Sequence, residues 1–370
     1  MSVANVNQLP RWTIAAPVAA AVLASATFAG PFSAESAVIL VLAALLLAAA
    51  VFAAVHHAEV IAMRVGEPYG SIVLALAVTV IEGSLILSLM LADPSGSQTL
   101  ARDTVFATVM IVLTGVVGLC LVAGGARHRQ QAFGTDAVAA SLSTLGTLAV
   151  ITLVLPNFAL GVPGPQFAST QLFFVGAFSI LLYAVFLFVQ TVRHRTFFLD
   201  VQPADAADSE ASAPIVLPTN GIAIASLALL TLSLAAVVML AKALSPTLER
   251  AIDAAGLPAA FAGVVIAAVV LTPESIAAVR AAKANRLQSA LNLALGSALA
   301  TIGLTIPLVA AAALWLEMPL LLGLGSAEMV LLVLALFIST ISLATGRTTI
   351  LQGAVHLVLF AVFVLLAVVP

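Results

Sequence analysis

Eleven apolar stretches run through the 370 residues, and each is long enough to cross a bilayer as a helix. About 20 apolar residues span the hydrocarbon core, where only helices and closed barrels satisfy their own backbone. The stretches are 12–29, 37–55, 71–92, 104–124, 137–158, 170–192, 221–243, 259–279, 289–316, 327–345 and 350–369. The ninth has enough length for a tilt or an interfacial turn. Charged residues make up 8 % of the chain and hydrophobic ones 63 %, against about 25 % charged in soluble domains. The fold class that follows is an all-α polytopic membrane protein of about eleven transmembrane helices.

Arg11 and the apolar run after it look like a secretory leader, but no cleavage site leads into a soluble domain, so the run is read as the first span. Cys120 is the one cysteine, which excludes an intramolecular disulfide and leaves a small packing residue. No basic patch tracks phosphates, so nucleic acid is excluded as a partner. The partners that remain are the lipid bilayer, inorganic cations and protons. No cofactor motif is present, and nothing in the sequence specifies an oligomeric state.

Lys and Arg in the connections set the orientation. With the N-terminus in the cytoplasm, the inside regions hold Arg11, Arg64, Arg127, Arg129, Arg193, Arg195, Arg280, Lys283, Arg286 and Arg347, and the outside ones Arg102, Lys242 and Arg250. Ten against three predicts N-in and C-out in a bacterial inner (cytoplasmic) membrane. Arg347 is expected to snorkel to the interface. Arg280, Lys283 and Arg286 act mainly as topology determinants, with anionic-lipid contact as a secondary reading.

One polar segment of length, 193–220, carries Asp200, Asp205, Asp208, Glu210 and three prolines. Its composition is that of a flexible, solvated connector; weak calcium binding is a lesser reading. With 1–33 set aside as an extra N-terminal helix, five spans fall in 34–192 and five in 221–370. An odd number per half predicts two inverted five-helix repeats, with a site near the midplane where they meet. Traces of the repeat lie in Gly66-Glu67-Pro68, fourteen residues ahead of Glu82, and Gly256-Leu257-Pro258, sixteen ahead of Glu274. Asp103 with Thr108 pairs in the same way with Asn292 and Ser297, five residues apart in each third segment.

Glu82 and Glu274 are the strongest functional signal. Each sits near the middle of a span, where a carboxylate costs about 2.5–3.5 kcal/mol on insertion scales. Thr79, Gly83 and Ser84 flank the first, and Thr272, Pro273 and Ser275 the second. Proline frees a carbonyl one turn back. Carboxylates, hydroxyls and carbonyls are oxygen ligands suited to a hard cation such as Ca²⁺, which takes 6–8 of them. A pair of glutamates balances one divalent ion or two protons, so cation and proton compete. Thr79, Ser84, Asp103, Thr272, Ser275, Asn292 and Ser297 are candidate ligands or their supports. His56, His57 and Glu59 at the cytoplasmic end of the second span, with Glu67, are candidate proton relays, as is Glu328 toward the outer end of the tenth. His56-His57-x-Glu59 has neither the spacing nor the depth of a hydrolase metal motif.

The ordered set His56-His57-Ala58-Glu59, Gly66-Glu67-Pro68-Tyr69-Gly70, Val80-Ile81-Glu82, Arg102-Asp103-Thr104, Gln190-Thr191, Pro273-Glu274, Asn292 to Ser297, Glu328-Met329, Thr345 to Thr348 and His356-Leu357 resembles the ChaA-type bacterial calcium/proton antiporters of the calcium/cation antiporter superfamily. The resemblance covers nearly the whole chain outside the linker. It implies ten core helices in two inverted repeats plus one extra helix, export of Ca²⁺ against protons, and Glu82 and Glu274 as ligands of both. Members of the superfamily also move Na⁺ or K⁺ against protons. An antiporter is therefore the first reading, a monovalent cation/proton antiporter the alternative, a passive channel a weaker one, and an enzyme is disfavoured.

Overall fold

The computed structural model of the chain describes residues 9–28, 37–66, 69–92, 97–200 and 217–369. Among them eleven helices follow one another. The first three are α1 Arg11–Phe28, α2 Ala37–Val65 and α3 Tyr69–Ala92. Then come α4 Leu100–His128, α5 Thr135–Phe158, α6 Ser169–Arg193, α7 Asn220–Ala254, α8 Phe261–Lys283, α9 Leu287–Trp315, α10 Ser326–Leu343 and α11 Ile350–Val368. Among the described residues, nine of these are long and apolar enough to cross a membrane. The helices group into two compact units: α1 to α3 with most of α7, and α4 to α6 with α8 to α11.

In the first unit α2 packs between α1 and α3. The apolar stretch predicted to end at Val55 continues as helix to Val65, so His56, His57 and Glu59 lie inside α2 rather than at its end. Two of these polar residues sit against α1. His57 is fully buried and donates from Nε2 to the Thr13 carbonyl at 2.9 Å, and the ring of Trp12 tilts against His56 at 5.9 Å. Farther on, Arg64 Nε donates to Asn220 Oδ1 of α7 at 2.9 Å. Glu67 and Pro68 lie outside the described residues.

In the second unit α4 and α9 are central, with 89 % and 72 % of their apolar windows buried against 17 % for α11. Both carry a π-turn mid-helix, Ile111–Val116 in α4 and Thr301–Thr305 in α9. The ninth stretch is one continuous helix of 29 residues through its π-turn, without an interfacial turn inside it. Three outer helices start with the residue three positions after the cap reaching back to the cap N–H: Gln171 to Ala168 at 3.0 Å, Glu328 to Gly325 at 2.8 Å and Gln352 to Thr349 at 2.9 Å.

At one end of this unit, β1 (Gln131–Ala132) pairs antiparallel with β2 (Arg347–Thr348). Gln131 Nε2 donates to Ala282 O and His128 Nε2 to Lys283 O, at 2.9 and 3.0 Å. The connections α4–α5, α8–α9 and α10–α11 therefore share that end. The chain leaving α6 joins them: Ser289 donates from N and Oγ to the Asp200 carboxylate at 2.9 and 2.6 Å, and Asn292 Nδ2 to Phe198 O at 2.6 Å. The connector expected to be flexible from 193 is docked as far as Asp200; Asp205, Asp208 and Glu210 lie outside the described residues. At the opposite end, the 316–325 connection is tied by Leu321 N to Gln98 O, Gly323 N to Pro165 O and Leu324 N to Leu153 O. Arg102 is at that end, with Nη1 on Gly323 O at 3.0 Å.

Helix contact in the second unit depends on glycine. A Cβ at Gly353 of α11 would lie 2.7 Å from the backbone N of Val122 and 2.9 Å from Gly118 O. Gly353→Val should lower the melting temperature in detergent by several degrees, the overpacking penalty being about 1–3 kcal/mol. Gly221→Val, at a position with no atom within 4 Å, should change it little. Equal melting temperatures for the two variants would show that α4 and α11 do not meet through this glycine.

Candidate functional site

Glu82 is the fourteenth residue of α3 and Glu274 the fourteenth of α8. Both are buried, at 1 % and 9 % exposure. A glycine in the left-handed region precedes each helix, Gly66 at φ 75° and Gly256 at φ 67°, where a Cβ would strain the backbone. The Gly-x-Pro spacing therefore marks the same event twice, a helix stop followed by a helix carrying a mid-helix glutamate.

In α3, Thr79 lies three residues before Glu82 and shares its face. Thr79 is 5 % exposed, and its Oγ1 has no hydrogen-bond partner among the described residues. Ser84 is half-buried two residues beyond. In α8, Pro273 has no N–H to offer the Val269 carbonyl. Thr272 donates to Ala268 O and Ser275 to Leu271 O, at 2.6 and 2.7 Å. Their hydroxyl protons are committed to their own helix, while their oxygens keep lone pairs. Thr272, two residues before Glu274, points to nearly the opposite face.

Helix α8 packs along α4, and a Cβ at Gly263 would lie 2.7 Å from Thr104 N. Glu274 is eleven residues further on, about 16 Å at 1.5 Å per residue. That is the depth of the π-turn of α4 and of buried Thr114, not of Asp103. Asp103 sits at the end of the unit that holds the 316–325 connection, where Arg102 Nη2 pairs with it at 2.7 Å and Thr99 Oγ1 donates to it at 2.8 Å. With Glu328 it lines a cavity of about 150 Å³. Asn292 lies at the other end of the unit, its amide donating to Phe198 O and accepting from Gln288 at 2.8 Å. Asp103 and Asn292 are thus placed symmetrically, each within the first two turns of its helix, and neither is gathered around Glu274. Ser297, further into α9, has a buried Oγ with no hydrogen-bond partner among the described residues. Among the described residues no three His, Cys, Asp or Glu side chains converge as a metal cluster.

Sequence reasoning missed the buried threonines at the π-turns, Thr114, Thr301 and Thr305, and His356. The signals were Thr114-Gly115 and Thr301-x-Gly303-x-Thr305 inside long apolar runs. His356, named at first only within the resemblance, is the seventh residue of α11 and fully buried. A plainer signal was an internal repeat between α6 and α11. Gly176-Ala177, Leu182 and Ala184-Val185-Phe186 recur as Gly353-Ala354, Leu359 and Ala361-Val362-Phe363.

The family described as sodium/calcium exchanger protein matches residues 35–192 and 225–369. The chain belongs to this family. Among relatives of this exchanger, the Sinorhizobium fredii protein y4hA is 52 % identical over 362 residues, 98 % of this chain and 97 % of that one. The sodium-potassium/proton antiporter ChaA of Escherichia coli is 37 % identical over 332 residues, 88 % of each chain. The structure of native YfkE superposes with a TM-score of 0.72 at 17 % identity, over 97 % of this chain and 100 % of that one, and establishes a shared fold. The exchanger is an integral membrane protein.

Asn292→Ala should loosen the docked segment before the connector, raising the rate of tryptic cleavage at Arg193 and Arg195 in membrane vesicles several-fold. The cation concentration for half-maximal transport should stay within about twofold, since loss of a peripheral hydrogen bond costs about 1 kcal/mol of local stability. A large shift in half-saturation with unchanged cleavage would instead make Asn292 a ligand.

Proposed function

We propose that this chain is a secondary active antiporter that moves a metal cation in one direction and protons in the other, with Glu82 and Glu274 as the groups that take up both. The observation that carries this reading is the matched pair: two buried glutamates, each the fourteenth residue of its helix, in a member of an exchanger family. A carboxylate held at hydrocarbon depth is costly while charged. A cation or a proton removes that cost, so one displaces the other and the two fluxes are coupled.

Two inverted five-helix repeats, 34–192 and 221–370, belong to the same reading. Support comes from the two separate family matches. The π-turns begin eight residues after Asp103 and nine after Asn292. The order of connections in the second unit adds to this. One end carries Arg127, Arg129, Arg280, Lys283, Arg286 and Arg347, and the opposite end Arg102. That asymmetry favours the basic end in the cytoplasm of a bacterium, with the protein in the inner membrane.

Ca²⁺ is the first candidate cargo, because the donors at hand are all oxygens. Na⁺ or K⁺ is the second reading, favoured by the 37 % identity to a sodium-potassium/proton antiporter. A channel needs no coupling to protons, and that separates it from this proposal.

The test is proton release from acid-loaded proteoliposomes on addition of Ca²⁺, Na⁺ or K⁺. Wild type should release protons with at least one cation, saturably and only against a pH gradient. Glu82→Gln and Glu274→Gln should each lower the rate at least about 100-fold, the scale expected when binding loses about 3 kcal/mol. Full activity in either variant, or cation flux indifferent to the pH gradient, would refute the mechanism.

A further inference from the structure

Helix α11 packs along α4 across its π-turn, and α6 packs along α9 across the other. The contacts correspond. Phe360 of α11 lies over Gly115, and Tyr183 of α6 lies over Gly303, where a Cβ would come within 2.7 Å of the tyrosine Cβ. Phe360 and Tyr183 occupy the same place in the repeated segment, as do His356 and Ser179.

The correspondence breaks at that last pair. Ser179 donates to Val175 O of its own helix at 2.7 Å. His356 reaches across to α4, with Nδ1 2.7 Å from Leu113 O. A carbonyl only accepts, so Nδ1 carries the proton. In an α-helix the Leu113 carbonyl would accept from Val117 N–H, but in the π-turn that N–H bonds Val112 O. His356 thus supplies a donor to a carbonyl whose usual partner has been moved one residue away. The imidazole is fully buried, and Nε2 has no hydrogen-bond partner among the described residues.

A π-turn holds one more residue per turn than the helix around it. Collapse to α geometry would rotate the outer half of α4, Leu100–Met110, by about 100° against the inner half, Val117–His128. The outer half carries Asp103, Thr104 and Thr108, all buried, and packs on α8, the helix of Glu274. We infer that His356 is a positioning residue for cation exchange: its Nδ1–H holds the π-turn of α4 open at Leu113 and so fixes the face that α4 turns toward α8. The role rests on the antiporter reading, with Glu274 as a cation and proton ligand.

The experiment compares His356→Asn, His356→Gln and His356→Leu in the full chain. The amide nitrogen of asparagine falls where imidazole Nδ1 stood, whereas that of glutamine falls near Nε2. In proteoliposomes, asparagine should keep the cation half-saturation within about twofold of wild type. Glutamine and leucine should raise it at least about fivefold, the scale of an unpaired buried carbonyl. Independently of transport, amide hydrogen exchange in 111–118 should quicken with leucine and glutamine and stay slow with asparagine. That measurement judges the latch even if wild type exchanges no cation, which would refute the antiporter reading alone. Unchanged exchange and half-saturation in all three variants would overturn the proposal. So would equal impairment by asparagine and leucine with 111–118 still protected, since Nε2 would then be the working atom.

Discussion

Each carbonyl within hydrocarbon needs a donor, because no water stands by to supply one, and the architecture depends on how that demand is met wherever α geometry fails. Pro273 in α8 and the π-turns of α4 and α9 are such places. Around them the chain recruits side chains. His356 bonds Leu113 O, Thr114 bonds Met110 O, and Thr272 and Ser275 bond carbonyls one turn back. The π-turns of α4 and α9 belong to the two most buried spans of the second unit, where neighbouring helices can reach the irregular backbone. Further π-turns lie in α5 at Val150–Val154 and at the end of α6 at Val189–Arg193, where Thr152 and Thr191 bond carbonyls of their own helices.

Attraction between helices in a bilayer owes little to the hydrophobic effect, since lipid tails are as apolar as leucine; close contact and small residues do the work. Gly353 against Val122, Gly303 against Tyr183 and Gly263 against Thr104 show this in the second unit. Removing a Cβ at each of these points lets a helix approach backbone rather than side chain. Gly263 also sets the depth at which α8 meets α4, and through the helix rise it places Glu274 opposite the π-turn instead of opposite Asp103.

The spans were legible because a long apolar run has few alternatives, and the mid-span glutamates because a charge there stands out against its neighbours. Helix limits were misread where polar residues find buried partners. His57 looked like the end of a span until Thr13 supplied its acceptor, and Asp200, still irregular chain, looked like free connector until Ser289 supplied its donors. Asp103 and Asn292 were grouped with the glutamates because composition does not fix depth; the register of α4 and α9 puts them at opposite ends of the unit. The π-turns left no trace in hydropathy, since one extra residue per turn changes no residue's polarity. The repeat shared by α6 and α11 was there to be read, and it leads directly to the helices that the π-turns contact.

On the two-repeat reading, the difference between His356 and Ser179 matters more than the likeness around it. Two halves with identical contacts would place inward-facing and outward-facing states at equal energy, whereas the ion gradients set the direction of net transport in either case. A ligand shifts a conformational equilibrium only by its differential affinity for the two states. Built-in asymmetry therefore sets the resting population on which cation and proton act. The histidine fixes one π-turn from outside its own helix, while the serine leaves the other to its own packing. The fastening of Asp200 and Asn292 adds to the asymmetry, since it ties the start of the connector to α9 and not to α4. Symmetry gives such a fold two states, and the residues that break it determine which one is occupied at rest.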